Sequence, residues 1–118
     1  MFLSNLDTTI KSLGEFFNVL SNPSRIKILT MLKNTEMDVN EIHKSLEISQ
    51  SLTSQHLKLL KLNGLVEERR EGKHVFYRLK DRKIINIVTG ALQFQMLAVT
   101  TDPELISMIS DLIVNLNA

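Results

Sequence analysis

Apolar residues recur at Leu6, Ile10, Leu13, Phe17 and Leu20, with spacings of 4, 3, 4 and 3. That is the period of one helix face, so residues 2–20 are predicted to form a helix carrying a heptad-like seam. "SNPSR", residues 21–25, stops it and starts the next, with Asn22 as cap and Pro23 in the first turn. Ile26, Ile28, Leu29, Met31 and Leu32 then read as a short, mostly buried helix. "KNTEMD", residues 33–38, reads as a turn. Residues 39–48 read as a third helix with Ile42 and Leu46 inward. A fourth is predicted over residues 50–63, with Ser49 as its cap and Gly64 as its stop. The period then changes. "LVEERR" and "KHVFYRL" alternate around "EGK", residues 71–73, where Gly72 favours a tight reversal between two strands. From Asp81 the helical pattern returns, to about Val99, and again from Pro103 to about Leu116, capped by Asp102. The predicted class is mainly α (α+β), in the order α-α-α-α-β-β-α-α, which is a winged helix-turn-helix. With no internal repeat, low-complexity stretch or Gly/Pro/Ser-rich linker, residues 1–118 read as a single domain.

The fourth helix carries two unlike faces. Thr53, Leu57 and Leu60 point inward, with part of Leu52 and Leu59, while Ser51, Ser54, Gln55 and Lys58 fall at i, i+3, i+4 and i+7 on another side. Small hydroxyls let a helix approach a surface closely. The Gln55 amide offers a donor and an acceptor side by side, as a base edge requires. Gln50 and Ser51 sit at the N-terminus, where unpaired amides and the helix dipole favour a phosphate. Lys58 and Lys61 lie further along. Taken alone, the stripe also fits a solvated face. The hairpin that follows adds Arg69, Arg70, Lys73, His74 and Arg78, cations suited to gripping phosphate or entering a minor groove. His56 reads either as a DNA contact or as a packed helix residue.

Net charge is only +1, yet residues 49–83 hold nine Lys and Arg against four Asp and Glu. Residues 84–118 hold three acids and no base. Local charge of this kind steers a polyanion even where the total is near zero. Aromatic residues make up 5% and Trp is absent, so the core must be Leu, Ile, Val and Met. There is no cysteine, which removes disulfides, thiolate metal sites and a Cys nucleophile, and fits a cytoplasmic protein. The start of the chain shows no basic segment followed by an apolar run. The uncharged run 84–101 is interrupted by Asn86, Gly90, Gln93 and Gln95, which argues against a membrane span. No nucleophile–base pair, carboxylate dyad or phosphate-cradling Gly loop marks an enzyme.

"LSNPSRIKILTML" and "ISQSLTSQHLKLLKLNGLVEERREGKHVFYRL" resemble the opening helix, recognition helix and wing of the ArsR/SmtB family of winged-helix repressors. The likeness covers roughly residues 16–83. It implies a homodimer that binds an inverted-repeat operator in double-stranded DNA and is released by an effector. Leu52 and Thr53 stand where a small polar residue and Val are usual, so a buried Thr53 hydroxyl needs a partner. The family's metal sites are not matched. Where a box of the type "ELCVCDL" would stand, this chain reads "EMDVNEI", with Asp38 and Asn40 in place of thiolates. Glu36, Asp38 and Glu41 read there as solvated turn residues, with an oxygen-ligand site as the alternative. Of the second family site only Asp81 remains, with Lys83, Phe94 and Leu97 at the other positions. His43, His56 and His74 make no ligand spacing. No metal and no cofactor is therefore expected.

The helix after the wing is apolar nearly all round and the last helix adds a further apolar stripe, more than one small domain can readily hide. A two-fold dimer through residues 1–20 and 81–118 is expected, leaving 24–80 as helix-turn-helix and wing. Its interface would use Leu6, Ile10, Leu13, Phe17, Ile84, Ile87, Val88, Ala91, Leu92, Leu105, Ile109 and Leu112. A larger intramolecular core is the alternative. The reading is a sequence-specific DNA-binding regulator of the repressor type. A winged-helix interaction or architectural module is its rival.

Overall fold

Every helix of the middle region begins where a side chain replaces a missing backbone acceptor. Asn22 Oδ1 accepts from Arg25 N at 3.1 Å, with Pro23 in the first turn. Asp38 and Glu41 form a reciprocal capping box: Asp38 Oδ1 accepts from Glu41 N at 2.8 Å, and Glu41 Oε1 from Asp38 N at 3.2 Å. Ser49 Oγ accepts from Leu52 N at 3.1 Å, and Asp102 Oδ1 from Glu104 N at 3.0 Å. In the computed structural model, which describes residues 2–98 and 100–118, these caps open the helices that begin at Pro23, Val39, Gln50 and Pro103.

The order is α1 (Phe2–Leu20), α2 (Pro23–Met31), β1 (Met37–Asp38), α3 (Val39–Leu46), α4 (Gln50–Leu62), β2 (Val66–Glu71), β3 (His74–Leu79), α5 (Ile84–Ala98) and α6 (Pro103–Asn117). The sequence pattern missed β1, which was expected to be part of a turn. Two residues are too few to show a period. Met37 pairs with Tyr77 and Asp38 with Phe76, giving a three-stranded antiparallel sheet in the order β1-β3-β2. Two helix ends also differ. α3 stops at Leu46 because Glu47 takes a left-handed conformation, φ 58°, and makes the tight turn into α4. α5 starts at Ile84, not Asp81, since Asp81 Oδ1 accepts from Lys83 N at 2.8 Å and holds a turn. Val99, expected at the end of that helix, lies outside the described residues. Gly64 (φ 73°) and Gly72 (φ 60°) sit where left-handed backbone ends α4 and reverses the hairpin. α2, α3 and α4 with the β2–β3 wing form a winged helix-turn-helix.

The core gathers Ile28, Leu29 and Leu32 from α2, Ile42 from α3, Leu57 and Leu60 from α4, and Val66, Ile84 and Ile85. Val19 closes it from α1 and Leu116 from α6. Arg25 stitches the α1–α2 corner, its Nε donating to the Val19 carbonyl at 2.6 Å. Lys33 Nζ donates to the Asn115 carbonyl at 2.5 Å and so caps α6 from the end of α2. Thr53 is fully buried and its hydroxyl donates to the Ser49 carbonyl at 2.9 Å, the partner its burial demands. Ile84, expected at a dimer interface, belongs to the protomer's own core at 5% exposure. His56, named among the DNA contacts, is instead turned inward at 8% exposure, the packed alternative. Among the described residues no helix is long and apolar enough to cross a membrane.

Two outcomes follow from this packing. Leu57→Ala empties a fully buried site and should cost about 2–5 kcal/mol in urea denaturation, whereas the exposed Leu62→Ala should stay within about 0.5 kcal/mol. His56 has its pKa lowered, first by burial and then by the nearby Arg25 charge. Folding therefore favours the neutral imidazole. That stability is present above the ordinary value of 6.5 and is lost as pH falls through the lower folded value. The stability lost between about pH 7.5 and about pH 5.5 should shrink in His56→Gln; an undiminished loss would place the titration elsewhere.

Candidate nucleic-acid interface

With its apolar residues buried, α4 turns its other face out. Gln50, Ser51, Ser54, Gln55 and Lys58 are all exposed and together line an open surface depression of about 620 Å³. Among the described residues, none of these five side chains makes an intramolecular hydrogen bond or ion pair, so their donors and acceptors are available outward. Ser49 takes the amides of Leu52 and Thr53 through its side chain and carbonyl. The first-turn amides of Gln50 and Ser51 are left without an intrahelical acceptor. Acceptor-hungry amides, small hydroxyls, two carboxamides and one ammonium on a single helix face match the demands of a phosphate-flanked groove. His56 lies outside this face.

The wing is different, because its cations are mostly paired. Lys61 Nζ sits 2.8 Å from Glu68 Oε1, tying the end of α4 to β2. That hydrogen bond is the main reason the Glu68 carboxyl titrates below its usual range. Arg70, 75% exposed, lies 3.8 Å from the same carboxylate. Arg78 pairs with Glu67 across the β2–β3 ladder at 2.7 Å. Arg69 is held by Glu36 at 3.1 Å and Glu71 at 2.7 Å, and stacks over Phe76. His74 Nδ1 stands 3.7 Å from Asp38 Oδ2. Lys73, exposed at the hairpin reversal, has no such partner among the described residues. A charge count over residues 49–83 includes Glu67, Glu68 and Glu71 but does not reveal that they hold these cations. The signal was there in "EERRE", where the acids alternate with the bases on both faces of one strand.

The residues of the cysteine-box segment are engaged in folding. Asp38 and Glu41 make the α3 capping box, and Glu36 accepts from Arg69, which holds its carboxyl below the usual range. His43 Nδ1 lies 3.3 Å from the Ile48 carbonyl. Among the described residues no group of three or more His, Cys, Asp or Glu is placed to hold a metal ion.

The expected partner-facing residues divide between the protomer and its surface. Leu6, Ile10, Leu13 and Phe17 form a stripe on α1 that is 40–56% exposed. Ile87 and Ala91 are exposed on α5, with Val88 and Leu92 half-buried beside them. Phe17, Leu20 and Ile26 meet these four residues around an apolar groove of about 260 Å³. On α6, Leu105 and Leu112 are exposed and Ile109 is half-buried. Phe94, not in the expected set, is 70% exposed on the same α5 surface region.

Comparison with known proteins places this architecture. Residues 22–68, from the α2 cap to the start of the wing, match the family described as "Bacterial regulatory protein, arsR family". The chain is 40% identical over 79 residues to the HTH-type transcriptional repressor SmtB of Mycobacterium tuberculosis, covering 67% of this chain and 58% of that protein. It therefore spans little more than half the length of that relative. It is 35% identical over 94 residues to the cadmium resistance transcriptional regulatory protein CadC of Listeria innocua, covering 79% of this chain and 77% of that one. Among solved structures, NolR from Sinorhizobium fredii superimposes with a TM-score of 0.71 at 27% identity, over 76% of this chain and 90% of that chain. With the helix-turn-helix, the wing and these relatives agreeing, the chain belongs to the arsR family of bacterial regulatory proteins.

Proposed function

We propose that the protein is a homodimeric transcription regulator of the repressor type, which places α4 in the major groove of an inverted-repeat duplex. The observation that carries this reading is the outward, unengaged polar face of α4. Gln55 reads a base edge, Ser51 and Ser54 allow close approach, and Gln50 with the first-turn amides meets a phosphate. Lys58, Lys61, Arg70 and Lys73 supply the remaining phosphate contacts. The name of the mycobacterial relative supports the repressor direction. The protein acts in the cytoplasm, as binding without catalysis.

The dimer rests on shape and exposed apolar surface. The radius of gyration is 16.3 Å, against roughly 13.5 Å for a compact chain of this length. The excess comes with an α1 whose seam is uncovered in one protomer. A second copy laid on α1, α5 and α6 covers Leu6, Ile10, Leu13, Phe17, Ile87 and Ala91, together with Leu105 and Leu112. A two-fold dimer then sets the two α4 helices about one DNA turn, roughly 34 Å, apart. Ile10→Asp should convert the dimer to monomer in sedimentation equilibrium and weaken duplex binding; a dimer of undiminished strength would remove α1 from the interface.

The decisive experiment is a salt-series titration of DNA from around the protein's own gene against a scrambled duplex. Preferential binding unchanged by EDTA is expected, since no metal is invoked. Gln55→Ala should lose about 1–3 kcal/mol on the preferred duplex and little on the scrambled one. Arg70→Ala should weaken both and lower the salt slope by about 0.9. Equal, weak binding to both duplexes by the parent protein would leave an architectural or interaction module.

A further inference from the structure

The two faces of the wing are electrically unlike. Directly opposed residues of an antiparallel pair share a face. Glu67 with Arg78, Arg69 with Phe76, and Glu71 with His74 therefore lie on one side of the sheet, and Asp38, opposite Phe76, joins them from β1. Glu36 reaches the same side through its bonds to Arg69. Glu36, Asp38, Glu67 and Glu71 stand there with the guanidiniums of Arg69 and Arg78, and Lys33 and Arg82 border Glu36 and Arg78 at the base of that side. On the opposite side, Glu68 is met by both Lys61 and Arg70, and the balance is positive.

Arg69 spans the sheet on the Glu36 side. Its side chain leaves β2, passes over the Phe76 ring of the central strand with Cζ 4.8 Å from the centroid, and reaches Glu36 just before β1. Nε and Nη2 donate to the two Glu36 oxygens at 3.1–3.3 Å, and Nη1 donates to Glu71 at 2.7 Å. One guanidinium thus serves two carboxylates, and a phosphate would have to displace both. Two residues beyond Glu36, Asp38 caps α3. The Arg69–Glu36 link therefore joins the outer strand of the wing to the entry of the first helix of the helix-turn-helix.

We propose that Arg69 is a positioning residue and not a phosphate ligand: with Glu36 it braces the wing against the α3 side, so that the opposite face, carrying Arg70, meets the duplex. This rests on the DNA-binding reading above. The brace is an exposed but networked ion pair with bidentate geometry, which is the arrangement in which such pairs contribute measurably.

A charge swap tests it. Duplex binding is measured across a salt series for the parent, for Arg69→Glu and for the pair Glu36→Arg with Arg69→Glu, which keeps the net charge of the parent. Arg69→Glu alone should weaken binding about tenfold, and the swapped pair should return to within about threefold of the parent with an unchanged salt slope. A swapped pair as weak as Arg69→Glu, with a slope lower by about 0.9, would make Arg69 a phosphate ligand and overturn the brace. A second arm needs no DNA. Amide hydrogen exchange along the β2–β3 ladder should quicken about fivefold, and alike, in Glu36→Gln and Arg69→Gln. Unchanged exchange would also overturn the brace. Were the parent to bind no duplex at all, the functional reading would fall and the exchange arm would judge the brace alone.

Discussion

The rotation of α4 about its own axis is the constraint on which the proposed interface depends. Thr53, Leu57 and Leu60 are fully buried, and they lie on one side of the helix. Turning α4 by one position would expose two leucines and drive Ser54 or Lys58 into the core, at a cost of several kcal/mol. The polar face is thus aimed by the apolar one. The Thr53 hydroxyl fits this scheme only because Ser49 offers its carbonyl one turn earlier, while the Ser49 side chain caps Leu52. One residue both starts the helix and satisfies its buried polar group.

Around α4 the fold is assembled from short-range devices. The α3 capping box and the left-handed Glu47 set the turn into α4, and Gly64 ends it. Lys61 and Glu68 then join the last turn of α4 to the wing. The wing is consequently joined to β1 at its base and to α4 by the Lys61–Glu68 ion pair.

Most of this was legible in the chain. Helix starts were readable because Asn22, Ser49 and Asp102 are capping types set before apolar periods, and the hairpin because Gly72 interrupts an alternation. The α4 face was readable because the 3.6-residue period separates Leu57 from Gln55 unambiguously. Besides the end of α3 and the start of α5, three things were not. β1 is two residues long, and its pairing with Phe76 and Tyr77 is a tertiary event with no local pattern. His56 carries a polar label, yet it is adjacent to Leu57 and the period leaves its side undecided; packing near Arg25 turned it inward. The wing cations were counted as charge, and a count does not reveal that Glu36, distant in sequence, is the acceptor for Arg69.

The unequal charge on the wing has a kinetic consequence. A protein drifting toward a polyanion samples many orientations before it docks, and most fail. Glu67 and Glu71 towards the tip of one side, and Arg70 on the other, would give the wing a direction in the field of the proposed duplex. On the proposed duplex, encounters led by Glu67 and Glu71 would be disfavoured, and those led by the α4 face favoured, within a Debye length of about 8 Å at physiological ionic strength. Under that reading a chain with a net charge of only +1 orients on its partner without the general stickiness of a strongly basic surface.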